Sequence, residues 1–128
     1  MGKFEEDDSY YLYLKALINT YGLTEKVTFT GRVSDSEIKR YYTRSSLFVF
    51  PSLHEGYGMV VMEAMKYGLP VIAFNNSSMP YLVKNNYNGF LIDNGKVREF
   101  GIKIAEVLNG KILLENLKSN AMHTFKNA

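Results

Sequence analysis

Cysteine is absent from the 128 residues, and histidine occurs only twice, as His54 and His123. The first absence excludes disulfides, thiolate catalysis and Cys-ligated metals, and leaves nothing that implies an oxidising compartment. The second excludes a histidine-rich metal site. Charge of one sign is lacking too: 15 Lys and Arg against 13 Asp and Glu leave a formal net charge of +2. These charges are scattered along the chain, so no single-sign field argues for nucleic acid or an anionic membrane. The stretch KRYYTR, residues 39–44, interleaves basic and aromatic residues, but at helical spacing it reads as a half-buried amphipathic face, and no nucleic-acid partner is expected. No apolar run approaches membrane-spanning length, and MGKFEEDDSYY has no apolar stretch after its lysine, so a cytoplasmic address is expected. Gly2 follows Met1 as in acylated proteins, but the KFEEDD after it is acidic and lacks the usual Ser or Thr.

What is present suits one compact domain over residues 1–128, with 46% hydrophobic residues to build its core. Tyr10, Tyr11, Leu14, Leu17 and Ile18 recur at helical spacing between Asp7 and Gly22, which predicts a first helix with acids at its positive end. KVTFTG, residues 26–31, reads as a strand, and Ser34 with Glu37 has capping-box spacing for a second helix. SLFVFPS, residues 46–52, is a strand buried on both faces that Pro51 stops. A helix from Gly58 to Lys66 follows, with Gly68 as its stop, then the strand PVIAF at 70–74. Ser77 or Ser78 caps a short helix through Pro80, Leu82 and Val83, and NNYNGFLID, residues 85–93, is a turn and a last short strand. Val97, Phe100, Ile104, Val107 and Leu108 form one helical stripe, and Leu113, Leu114, Leu117, Ala121 and Phe125 another. Strands alternating with helices in this way predict an α/β fold, a Rossmann-like parallel sheet with helices on both faces. An opening on a helix is unusual for such a fold.

In open α/β sheets a ligand lies beyond the carboxyl ends of the strands, where glycine loops enter helices. PSLHEGYG, residues 51–58, is such a loop. Gly56 and Gly58 allow close backbone approach, and the N–H groups of Tyr57, Gly58 and Met59 are left without helical partners, a setting that attracts phosphate. Glu55 projects from the loop, and Glu63 sits about two turns later, on nearly the same face. Two carboxylates beside an anion-binding helix start suit a ligand carrying both hydroxyls and phosphate, such as a nucleotide sugar. The bland reading is also available: Glu55 favours the positive end of the helix dipole and Glu63 is a solvated helix residue. Against it, MVVMEAM sets Glu63 alone among apolar neighbours, where an unpaired charge is costly. Spacing alone leaves the two readings open.

The stretch from VTFTGRVSDSEIKRYY through PSLHEGYGMVVMEAMKYGLPVIA to NNYNGFLID resembles the carboxyl-terminal domain of family 4 glycosyltransferases, retaining enzymes of the GT-B fold, over nearly the whole chain. The sharpest element is an E-x7-E motif, Glu55 to Glu63. The resemblance implies a donor-binding domain for a UDP-, GDP- or ADP-sugar, in an enzyme of hexosyltransferase class acting on a saccharide or lipid acceptor in polysaccharide or glycoconjugate synthesis. It implies that Glu55, the catalytic candidate, lies against the donor sugar near the reacting carbon. Gly56, Tyr57 and Gly58 would offer backbone donors to sugar and diphosphate, continued by Met59 and Val60. Glu63 would accept from the ribose hydroxyls, and Gly31, Arg32 and Val33 would hold the base. Ser52 shapes the turn, and His54 belongs to the donor loop without acting as a general base. The nucleotide sugar is a substrate, so no cofactor is implied, and no metal site is offered: Asp7, Asp8 and Asp35 read as helix-start residues.

Two departures from the family pattern stand out. Pro80-Tyr81 replaces the usual Pro-Glu, and no strand, glycine turn and Arg-Lys arrangement precedes Asp7. The chain therefore reads as a partial domain lacking the first two strands, the acceptor-binding amino-terminal domain and the closing helix, inactive alone. Its strands 26–31 and 46–52 are left to pair directly, to swap, or to join in a homodimer. Peripheral membrane association would belong to the parent enzyme. The alternative is a non-catalytic nucleotide-binding or interaction module of the same fold. A dinucleotide-dependent oxidoreductase fails for want of a G-x-G-x-x-G turn.

Overall fold

A computed structural model of the chain describes residues 35–50, 58–75 and 79–127, together with Ala16, Asn19 and Thr20. Those three are helical, with the Thr20 hydroxyl donating to the Ala16 carbonyl at 2.9 Å, as the first periodic stretch predicts. The rest of that helix, the strand at 26–31 and the Ser34, Ser77 and Ser78 caps lie outside the described residues.

The described elements run α1 (Asp35–Arg44), β1 (Phe48–Phe50), α2 (Gly58–Lys66), β2 (Val71–Phe74), α3 (Met79–Leu82), β3 (Gly89–Ile92), α4 (Val97–Asn109) and α5 (Lys111–Lys126). The three strands form one parallel sheet in the order β1-β2-β3. Phe48 pairs with Val71 and Phe50 with Ala73; on the other side Val71 pairs with Gly89 and Phe74 with Ile92. All three strands therefore end on one edge of the sheet. This is the α/β architecture expected from the alternation of elements.

Because side chains alternate across a strand, β2 feeds two apolar layers at once. Ile72 and Phe74 point to the layer built from Phe90, Ile92, Phe100, Ile104, Val107 and Leu117, under α4 and α5. Val71 and Ala73 point to the opposite layer, where Tyr42, Phe48, Val61, Ala64, Met65 and Met79 bring in α1, α2 and α3. Every residue of β2 is buried, and each fully buried aliphatic or aromatic side chain of this kind contributes about 1.5–3 kcal/mol. The Phe74 and Phe100 rings meet at 4.6 Å in the first layer.

Helix α2 ends in a Schellman turn. The Gly68 N–H donates to the Met65 carbonyl at 2.9 Å and the Leu69 N–H to the Ala64 carbonyl at 3.1 Å, with Gly68 at φ 75°. Helix α4 buries Val97, Phe100, Ile104 and Val107 as its stripe predicts. Helix α5 departs from its stripe at the end: Leu117 and Ala121 are buried, but Phe125 is exposed. Thr124 takes the inward position there, accepting a hydrogen bond from Asn88 Nδ2 at 3.0 Å, and the next residue is turned about 100° away.

Gly89 is where β3 comes closest to β2. A Cβ built on it would run into the Val71 carbonyl, which is backbone and cannot step aside. Gly89→Ala is therefore expected to destabilise the chain by roughly 3 kcal/mol or more in urea unfolding; a change below about 1 kcal/mol would contradict this register.

Candidate functional site

Three parallel strands ending on one edge, each followed by a helix, direct the starts of α2, α3 and α4 to that edge. Helix α2 is the one that follows the glycine loop. It begins at Gly58 and carries no acidic residue in its first turn. Gly58, Met59 and Val60 form that first turn, where backbone N–H groups lack helical acceptors. Of the other candidates, Gly31, Arg32, Val33, Ser52, His54, Glu55, Gly56 and Tyr57 lie outside the described residues.

Glu63 is exposed, so the apolar residues beside it in sequence do not desolvate it. Adjacent residues on a helix diverge by about 100°, so Met62 and Ala64 turn toward the core while Glu63 turns out. Its neighbours in space differ from its neighbours in sequence. Val61, Ala64 and Met65 are buried, and Glu63 shares the solvent side of the helix with Lys66. Among the described residues no hydrogen bond or ion pair holds the carboxylate.

Beside Glu63 lies a feature that the sequence marks only as aromatic residues on an amphipathic helix. Tyr42 of α1 is buried, its ring edge-on to Phe48 at 6.0 Å and stacked on Tyr67 at 5.3 Å. Its phenol is pushed up to about 12, first by burial and then by the Glu63 carboxylate and Tyr67. The hydroxyl thus stays protonated throughout the physiological range and lies within the field of Glu63.

Tyr81, where the family pattern has Glu, is 81% exposed on the one-turn helix α3. At the opposite, amino edge of the sheet, Asn88 is buried and satisfied: its Oδ1 accepts from the Lys84 N–H at 2.8 Å, and its Nδ2 donates to the Leu82 carbonyl and Thr124 Oγ1, each at 3.0 Å. That arrangement ties α5 to the turn before β3 and is structural. Among the described residues, no three His, Asp or Glu side chains gather as a metal site, and no helix is long and apolar enough to cross a membrane.

A family model described as "Glycosyl transferases group 1" matches residues 2–124. An uncharacterized glycosyltransferase of Haemophilus influenzae is 37% identical over 100 residues, an alignment covering 77% of this chain and 27% of the relative. A GDP-mannose-dependent α-(1-6)-phosphatidylinositol monomannoside mannosyltransferase of Mycobacterium tuberculosis is 32% identical over 102 residues, covering 74% and 26%. The chain thus spans about a quarter of the length of these relatives. Among solved structures, HepE of Anabaena in complex with UDP and glucose superposes with a TM-score of 0.71 at 26% identity, covering 98% of this chain and 34% of that one. The C-terminal domain of a group 1 glycosyl transferase, LpcC of Francisella tularensis, superposes at 0.73 with 23% identity, covering 97% and 64%, which supports the fold.

The raised phenol fixes a pH dependence. An acid whose folded value lies above its unfolded one stabilises the fold fully below the unfolded value and ceases to do so as pH rises through the folded value. Stability contributed by Tyr42 is accordingly expected to hold up to about pH 10 and to be lost toward pH 12, and Tyr42→Phe to remove this component. Urea unfolding across that range, with ultraviolet titration of the tyrosines, checks it; a Tyr42 phenol ionising at its ordinary value near 10 in the folded chain would contradict the burial.

Proposed function

Since the chain belongs to the glycosyl transferases group 1 family, we propose that it forms the donor side of a retaining glycosyltransferase, binding a nucleotide sugar at the carboxyl edge of its sheet. The observation that carries this reading is Glu63: an exposed carboxylate that no described residue pairs, on the helix that follows the glycine loop. A hydrated carboxylate there accepts hydrogen bonds from the vicinal hydroxyls of a ribose, and charge-assisted bonds of this kind are individually strong. The N–H groups at the start of α2 receive the diphosphate, continuing the backbone donors of Gly56 and Tyr57. Glu55 faces the donor sugar, Gly31, Arg32 and Val33 hold the base, and Ser52 and His54 shape the loop.

Transfer breaks the bond between the anomeric carbon and the diphosphate oxygen, and forms one from that carbon to an acceptor hydroxyl on the same face. The acceptor hydroxyl's proton passes to the departing diphosphate oxygen, which gains negative charge as its bond to the anomeric carbon breaks. Negative charge grows on the departing diphosphate, and helix-start donors already aimed at it stabilise that charge without reorganising. The reaction also needs the acceptor held against the donor. The chain's coverage of only about a quarter of its relatives supports placing the acceptor half, and the remaining basic residues, outside these 128 residues. On this reading the chain binds donor but does not transfer alone. No cofactor is assigned, the nucleotide sugar being a substrate, and the absence of cysteine fits a cytoplasmic address.

UDP, GDP, ADP and their common sugar conjugates, titrated against the chain and followed by amide NMR shifts, test the reading. One nucleotide is expected to shift Gly58, Met59 and Val60, and Glu63→Ala to weaken it roughly 10- to 100-fold, the loss of charge-assisted hydrogen bonds. Because Glu63 is exposed, the same substitution leaves folding stability within about 0.5 kcal/mol. If no nucleotide shifts α2 at millimolar concentration while the chain stays folded, the donor-site reading fails and, of the alternative, only the interaction module remains.

A further inference from the structure

Glu63 and Tyr67 stand four residues apart along α2, hence on one face and one turn from each other. Tyr67 occupies the C-cap position of the Schellman turn, held by the Gly68 and Leu69 N–H bonds behind it. Its ring lies on Tyr42 at 5.3 Å and 26°, and Tyr42 meets Phe48 edge-on at 6.0 Å. A continuous run of rings therefore leads from β1 through α1 to the end of α2, below the face from which Glu63 emerges. Elsewhere in this layer α2 packs on α5, with Ala121 beside the core and Met122 against Gly68. Rings stack in few geometries, so the Tyr42–Tyr67 contact restrains how the end of α2 sits against α1. Glu63 and Tyr67 both act on the Tyr42 phenol, so the carboxylate belongs to the surroundings of the stack.

We propose that the Tyr42–Tyr67 stack is a positioning device for Glu63, locking α2 against α1 so that the carboxylate meets the ligand's vicinal hydroxyls. This rests on the donor-site reading and deepens it. Neither tyrosine need touch the ligand: Tyr42 is buried, and Tyr67 lies a turn further along α2 from the carboxyl edge than Glu63. Tyr67 sits one turn from Glu63 but more than two turns from the helix start at Gly58, so loss of the stack affects recognition of the ribose hydroxyls more than recognition of the diphosphate.

The test compares the dissociation constants of UDP, GDP or ADP, whichever binds, with those of its 2′,3′-dideoxy counterpart. The chain as it stands is expected to prefer the ribonucleotide by about tenfold or more, as one or two hydrogen bonds to a carboxylate require. In Tyr67→Ala and in Tyr67→Leu, which refills the seam with an aliphatic side chain, that ratio is expected to fall toward one while the dideoxy nucleotide binds as before. Tyr67→Phe keeps the ring and retains the ratio. If Tyr67→Ala and Tyr67→Leu both keep the original ratio, or lose affinity for both nucleotides equally, the positioning role is overturned while the donor site stands. A bound nucleotide with a ratio near one in the unaltered chain overturns the role of Glu63 and the stack with it. Failure to bind any of the three overturns the donor-site reading itself.

Discussion

Strand β2 is buried on both faces, and the rest of the structure depends on how its four residues are shared between two apolar layers. Ile72 and Phe74 serve one layer, Val71 and Ala73 the other. A slip of one residue in the pairing would exchange the two sets and empty both layers. The close approach of Gly89 to the Val71 carbonyl pins β3 to that register, and the pairing of Phe48 with Val71 sets β1 in the same frame. Parallel pairing then gives the sheet a polarity: chain enters at one edge and helices start at the other.

The two edges are finished differently. At the amino edge, Asn88 is buried and spends its side chain on Lys84, Leu82 and Thr124, while Asn120 Nδ2 donates to the Tyr87 carbonyl at 2.8 Å. Asn85 Oδ1 accepts the Leu91 N–H at 2.7 Å. These bonds fasten α5 and the turn before β3. At the carboxyl edge the described polar side chain of interest, Glu63, faces solvent. The exposed carboxylate stands on a helix whose core side is held by Val61, Ala64 and Met65. A surface group that must meet a ligand repeatedly benefits from such a rigid base.

Much of this was legible in the sequence because its causes are local. The helix from Gly58 to Lys66 and its stop at Gly68 followed from apolar spacing and from glycine's tolerance of positive φ. Strands at 71–74 and 89–92 followed from apolar runs bounded by turn residues. What escaped depends on contacts between distant positions. Asn88 looked like one more turn residue because its partner Thr124 lies 36 residues away. Tyr42 and Tyr67 come from different helices, and nothing in KRYYTR announces that one ring will stack across to the next helix. The environment of Glu63 is open in the sequence for a related reason: its neighbours in sequence are methionine and alanine, and a helix turns adjacent side chains apart. The motif that links Glu55 with Glu63 was readable by resemblance, and the loop that carries Glu55 lies outside the described residues.

A ligand that meets this chain where α2 begins is expected to leave its mark in amide hydrogen exchange, measured with and without a saturating nucleoside diphosphate. Slowed exchange should gather at Gly58 to Val61 and extend to Glu63, with the turn from Lys84 to Asn88 unchanged. Protection confined to that turn at the amino edge, with α2 unaffected, would contradict this placement of the ligand.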